Sequence, residues 1–110
     1  MHKRIAFKNM DKNEALEKFA NQKLEKVEQL LATERTPTTI NLVLDQNKVN
    51  VYNRVELHVT SPHYNLVAHH EGPDFIKEIS YVIDIMVEEI RTAKDRVSEE
   101  FKNQNSFKSA

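Results

Sequence analysis

The apolar residues of this chain switch between two periods, and the order of the switches leaves few architectures open. Residues 3–8 alternate, with Ile5 and Phe7 on one side, which predicts a strand. Asp11 followed three residues later by Glu14 resembles a capping box with a carboxylate in place of the usual hydroxyl. Leu16, Phe19, Ala20, Leu24, Val27, Leu30 and Leu31 then recur at helical spacing, predicting a helix over 12–32 that Thr36-Pro37-Thr38 breaks. Alternation returns through Ile40, Leu42 and Leu44, and the polar stretch from Asp45 to Lys48 turns the chain. In the next strand Val51, Asn53, Val55, Leu57 and Val59 alternate against Tyr52, Arg54, Glu56 and His58. Ser61-Pro62-His63 turns again, and Tyr64, Leu66 and Ala68 carry a fourth strand to about His70. Gly72-Pro73-Asp74 opens a second helix, with Pro near the first turn, where its missing N–H costs little. Phe75, Ile79, Val82, Ile83, Met86, Ile90, Ala93, Val97 and Phe101 extend it to about residue 102.

The order is therefore β-α-β-β-β-α. Short loops make strands two to four an antiparallel meander. One face of the sheet is apolar, and the two amphipathic helices are its only cover. The expected fold class is α+β, a two-layer sandwich with a four-stranded sheet and both helices on one face. A single domain over residues 1–102 and a polar tail over 103–110 complete the expected organisation.

Composition excludes several functions. With 110 residues, 39% of them hydrophobic and 30% charged, the chain can bury one core. The absence of cysteine removes disulfides, cysteine–zinc sites and thiol nucleophiles. A single glycine, Gly72, cannot build a glycine-rich phosphate loop. No apolar run approaches the roughly 20 residues of a membrane span, and no leader peptide is expected, so the expected location is the cytoplasm.

A net charge of −1 argues against nucleic acid unless the charges are sorted by face. On a helical wheel of the first helix, Lys12, Lys18, Lys23 and Lys26 fall to one side of the apolar arc, and Glu14, Glu17, Glu25 and Glu28 to the other. Lys23 lies almost within the arc and must snorkel along it. On the second helix Arg91, Lys94 and Lys102 lie on one margin and the outward face is acidic. Arg96 lies toward the acidic side, within reach of Glu100, and Tyr81 and Ile85 point outward. Mixed charge of this kind also suits an ordinary solvated helix; the functional reading is a rim that faces phosphates.

Three strings carry a resemblance. Glu14-Ala15-Leu16 with Lys23-Leu24 and Lys26 looks like the first helix of the ribosome hibernation factors, the family of the hibernation-promoting factor and of ribosome-associated inhibitor A, or protein Y. Ala68-His69-His70-Glu71-Gly72 with Asp74-Phe75 looks like that family's turn into its second helix. Ile79-Ser80-Tyr81-Val82-Ile83-Asp84 with Arg91 and Lys94 looks like the second helix itself. Together they resemble the family over residues 3–97, in its short form. The resemblance implies a translation inhibitor. It would bind small-subunit rRNA in the mRNA and tRNA channel and preserve idle ribosomes under stress and in stationary phase. By position it implies RNA contacts at Lys23, Lys26, Arg91, Lys94 and Arg96. Ile85, Glu88 and Thr92 stand where basic or polar residues are expected, which implies fewer phosphate contacts or a shifted footprint.

From the residues themselves, Lys12 joins the candidate RNA-binding set through its place on the wheel. Tyr52 and Arg54 join it as a stacking ring and a cation on the open sheet face. Of the five histidines, His69 and His70 are adjacent on a strand and face opposite sides, so a metal site is not expected. The carboxylates lie on exposed helix faces and make no catalytic pair, so no enzyme activity, cofactor or small-molecule substrate is expected. The competing class is an interaction module of the same fold that has lost RNA binding and self-associates through Tyr81, Ile85 or the open sheet face. A general double-stranded-RNA binder would lack the exposed basic loop it needs.

Overall fold

The computed structural model describes residues 1–47, 49 and 52–108, with side chains described through residue 97. The strands are β1 (His2–Lys8), β2 (Thr39–Asp45), β3 (Asn53–Thr60) and β4 (Asn65–Gly72); the helices are α1 (Glu14–Leu31) and α2 (Phe75–Lys108). The sheet order is β1-β2-β3-β4, with β1 parallel to β2 and the other pairs antiparallel. This is the expected α+β sandwich. Val51, expected in the third strand, and Lys48, expected in the turn, lie outside the described residues.

Register explains the two faces. Ile5 pairs with Leu42, Leu42 with Leu57, and Leu57 with Ala68, so one row of the sheet is apolar across all four strands. Ile40, Leu42, Leu44, Val55, Leu57 and Val59 are buried against Ala20, Leu24, Val27 and Leu31 of α1 and Ile79, Val82, Ile83, Met86 and Ile90 of α2. Each large aliphatic side chain buried there contributes about 1.5–3 kcal/mol. The opposite row, Arg4-Asn41-His58-Val67, is polar at three of its four positions and carries no helix cover.

Helix starts depart from the simple reading. The N-cap of α1 is Asn13, not Asp11: its side chain accepts a bond from the Leu16 amide at 3.1 Å. The helix therefore begins after Lys12. Asn9 turns the chain out of β1 at φ 59°, a left-handed conformation that asparagine tolerates, and its amide bonds the Asp45 carboxylate at 2.8 Å.

At α2, the Asp74 carbonyl accepts from the Glu78 amide at 3.0 Å, and the Asp74 carboxylate accepts from Ile76 N–H at 3.0 Å. Glu78 is 3% exposed, and its Oε2 accepts from Asp74 N–H at 2.8 Å. The other carboxylate oxygen occupies the space beside Gly72: a Cβ there would stand 1.9 Å from it. Pro73 precedes the helix, which starts at Phe75. At the far end α2 continues through Lys108, so the backbone of 103–108 is helical where the apolar spacing predicts a stop near 102.

Tyr64, expected at the start of the fourth strand, sits instead in the turn before it. Ser61 Oγ accepts from His63 and Tyr64 N–H at 3.3 Å each, and the Tyr64 hydroxyl donates to Glu34 at 3.0 Å. Burial, reinforced by the Glu34 carboxylate, pushes the phenol well above its ordinary range, so it stays a donor.

Candidate functional site

The sequence nominates a phosphate-facing rim from the basic margins of the two helices, and the seam between α1 and α2 gathers part of it. Lys26, Gln29 and Leu30 of α1 face Asp84, Val87, Glu88 and Arg91 of α2 across a groove of about 500 Å³. Lys94 is half-buried beside them, and its ammonium donates to the Leu30 carbonyl. The last turn of α1 carries no basic residue of its own, so Lys94 supplies the positive group that the carbonyl end of the helix favours.

The remaining nominated residues divide by their partners. Lys23 is exposed, with its ammonium 5.6 Å from the centre of the Phe19 ring, so it lies along the apolar seam as its position requires. Lys23 and Lys26 make no ion pair among the described residues. Arg91 meets Glu88 at 3.2 Å. Arg54 meets Glu71 at 2.8 Å and Glu56 at 3.7 Å on the open sheet face. Lys12 meets Glu17 at 3.3 Å.

The charge sorting on α1 is correspondingly narrower than the wheel suggests. Lys12 precedes the helix, so its helical angle has no meaning, and it turns toward the glutamates. Lys18 borders the same shallow depression as Glu14, Glu17 and Glu25. Only Lys23 and Lys26 keep the lysine margin. Arg96 is not at the seam: it lines a groove on the opposite flank of α2, and the side chain of its expected partner Glu100 lies outside the described residues. Tyr52 is 56% exposed and stands just before β3, near Asn9 and Arg54.

Two cations of the open sheet face escaped the sequence reading. Arg4 and Lys8 alternate with Ile5 and Phe7 on β1, so they belong to the open face; both are exposed and unpaired among the described residues. The same alternation that marks the strand would have found them. His58, on that face, bonds Glu56 at 2.8 Å. Among the described residues no group of three or more His, Cys, Asp or Glu could hold a metal ion. No helix is long and apolar enough to cross a membrane, among the described residues.

Among the described residues the arrangement offers exposed cations on two surfaces and no cluster that reads as catalytic. A sequence family described as Sigma 54 modulation protein / S30EA ribosomal protein matches residues 4–98. The chain belongs to this family. Membership bears out the resemblance to the hibernation factors read from the three strings. No curated protein matches the chain. Among solved structures, a ribosomal subunit interface protein from Coxiella burnetii superposes with TM-score 0.70 at 18% identity, covering 86% of this chain and 99% of that one. The Protein Y N-terminal domain of Thermus thermophilus superposes with TM-score 0.67 at 17% identity, covering 81% and 93%. At these identities the superpositions establish the S30EA-type fold, and the family match carries the functional association with ribosomes.

Proposed function

We propose that the chain binds the small ribosomal subunit through rRNA in the mRNA and tRNA channel, and so inhibits translation and preserves idle ribosomes in the cytoplasm. The observation that carries this is the family match over residues 4–98. The unpaired lysines of α1 support it, because phosphate contacts need ammonium groups that are not already neutralised. In this reading Lys23 and Lys26 make the principal phosphate contacts. Arg91 contributes after exchanging Glu88 for a phosphate, and Arg4 and Lys8 extend the positive surface to the sheet. The role is non-enzymatic and needs no cofactor.

Sedimentation of lysate through sucrose gradients tests it. The protein should travel with small subunits or whole ribosomes at low salt and return to the top fractions at high salt. A protein that stays at the top at every salt concentration would remove the ribosomal reading. The ion pairs of Lys12, Arg54 and Arg91 favour a second reading, an interaction module without RNA binding. That reading takes over on the same result, provided the protein also sediments as a dimer alone.

A further inference from the structure

The two edges of the sheet are defended differently. Exposed strand edges invite pairing with another chain, and proteins guard them with charge, proline or cover. β1 carries Lys3, Arg4 and Lys8. β4, the opposite edge, reads Asn65-Leu66-Val67-Ala68-His69-His70-Glu71-Gly72; it contains no lysine, arginine or proline, and its one carboxylate, Glu71, is tied to Arg54 of β3 at 2.8 Å. Beside it, α2 leaves a groove of about 790 Å³ between the outer side of the helix and the strand.

The groove has an apolar floor and an acidic wall. Leu66 of β4 and Ile85 and Ala93 of α2 supply the floor, and Ile85 is 39% exposed. Asp84, Glu88 and Glu89 line the wall, with Arg96 as the one cation. Glu88 is taken by Arg91, whereas Asp84 and Glu89 have no ion-pair partner among the described residues. Partial burial raises the Glu89 carboxyl above its ordinary range, a cost that an arriving cation would offset.

We propose that this groove receives an extended, basic peptide segment as a fifth strand paired to β4. Main-chain bonds to the open edge would hold it. On its helix-facing side, apolar side chains would meet Leu66 and Ile85, and lysine or arginine would meet Asp84 and Glu89. A helix lying beside an open strand edge is the geometry of strand-addition peptide sites, in which the main chain gives affinity and the alternate side chains give selectivity. The charge decides the occupant. A second copy pairing β4 to β4 would place the acidic wall of one molecule beside that of the other, which repels. Basic extended arms are what nucleic-acid-binding proteins carry outside their folded parts. The proposal does not depend on where the chain binds a ribosome.

The test uses the full chain and the dye-labelled peptide Thr-Val-Thr-Lys-Thr-Val-Thr-Lys, read by fluorescence anisotropy. Saturable binding is expected, weakened at least tenfold when the lysines are replaced by glutamate or when alternate peptide nitrogens are methylated. Asp84→Lys and Glu89→Lys, checked by thermal melting, should each weaken binding several-fold. NMR titration of Glu89 should show its carboxyl pKa falling when the peptide is present. The methylated peptide keeps the test decisive should a variant fail to fold. No binding, or equal binding of the methylated or acidic peptide, overturns the proposal. A concentration-dependent dimer that excludes the peptide overturns it in favour of self-pairing.

Discussion

The two basic margins that meet at the helix seam look alike in sequence and behave differently in the fold. On α1, Lys23 and Lys26 project from the surface without an ion pair among the described residues. On α2, Lys94 is drawn into the carbonyl end of α1 and Arg91 into a pair with Glu88. A cation that closes a helix end contributes to stability and has little left for an RNA phosphate. A cation lying along an aromatic ring at the surface contributes little to stability and keeps its charge available. Counting basic residues on a helix therefore overstates the positive surface, and their partners decide what remains.

The sharpest attempt to break this contrast reverses both α1 lysines. Lys23→Glu with Lys26→Glu should lower ribosome affinity by about an order of magnitude or more and flatten the slope of log affinity against log salt by about 2. Thermal stability should be almost unchanged. Quantitative co-sedimentation over a salt series measures the first effect and calorimetry the second. Equal affinity would mean that another face meets the ribosome.

The converse change is Lys94→Met, which keeps most of the side-chain stem. Loss of a charged donor to the α1 carbonyl end should cost about 1–2 kcal/mol, a fall in Tm of roughly 5–15 °C. Salt-dependent binding by the folded fraction should shift little. A variant as stable as the parent that binds ribosomes more weakly would make Lys94 an RNA contact and erase the contrast.

A gentler change should sharpen it. Glu88→Gln releases Arg91, so the salt slope should steepen by up to about 1, and stability should move by less than about 0.5 kcal/mol because an exposed pair contributes little. The smallest effect concerns Glu89 on the other flank of α2. Its carboxyl titrates above the ordinary range because of burial, so ionisation opposes folding. Glu89→Gln should therefore be slightly more stable than the parent near neutrality. The difference should close as pH falls through the raised value into the usual carboxylate range, as pH-dependent melting would show.

The alternation and the helical spacing carried the element order, the meander and the identity of the buried face, because each is a local period read over several residues. The candidate site was legible only in part, for reasons of sequence distance. Lys94 finds its acceptor at Leu30 and Arg54 finds Glu71, and no local window joins either pair. Lys12 was misplaced by a choice between neighbouring caps: Asn13 and not Asp11 starts the helix, and the shift moves Lys12 off the wheel. Lys23 came out as read, because its position within the apolar arc leaves one solution. The end of α2 was not legible from apolar spacing, because the helix continues through polar sequence where that spacing stops.

Gly72 has a consequence for how this sequence can change. It is the only glycine in the chain, and its missing side chain is room already filled by one oxygen of the Glu78 carboxylate, whose other oxygen closes the start of α2. The two positions are thus a single heritable unit. A methyl group at 72 pushes the Glu78 carboxylate off its place beside the Asp74 amide, and a shorter residue at 78 leaves that amide unanswered and a hole behind. Substitutions there should be coupled, so that the cost of changing both positions differs from the sum of the two single costs.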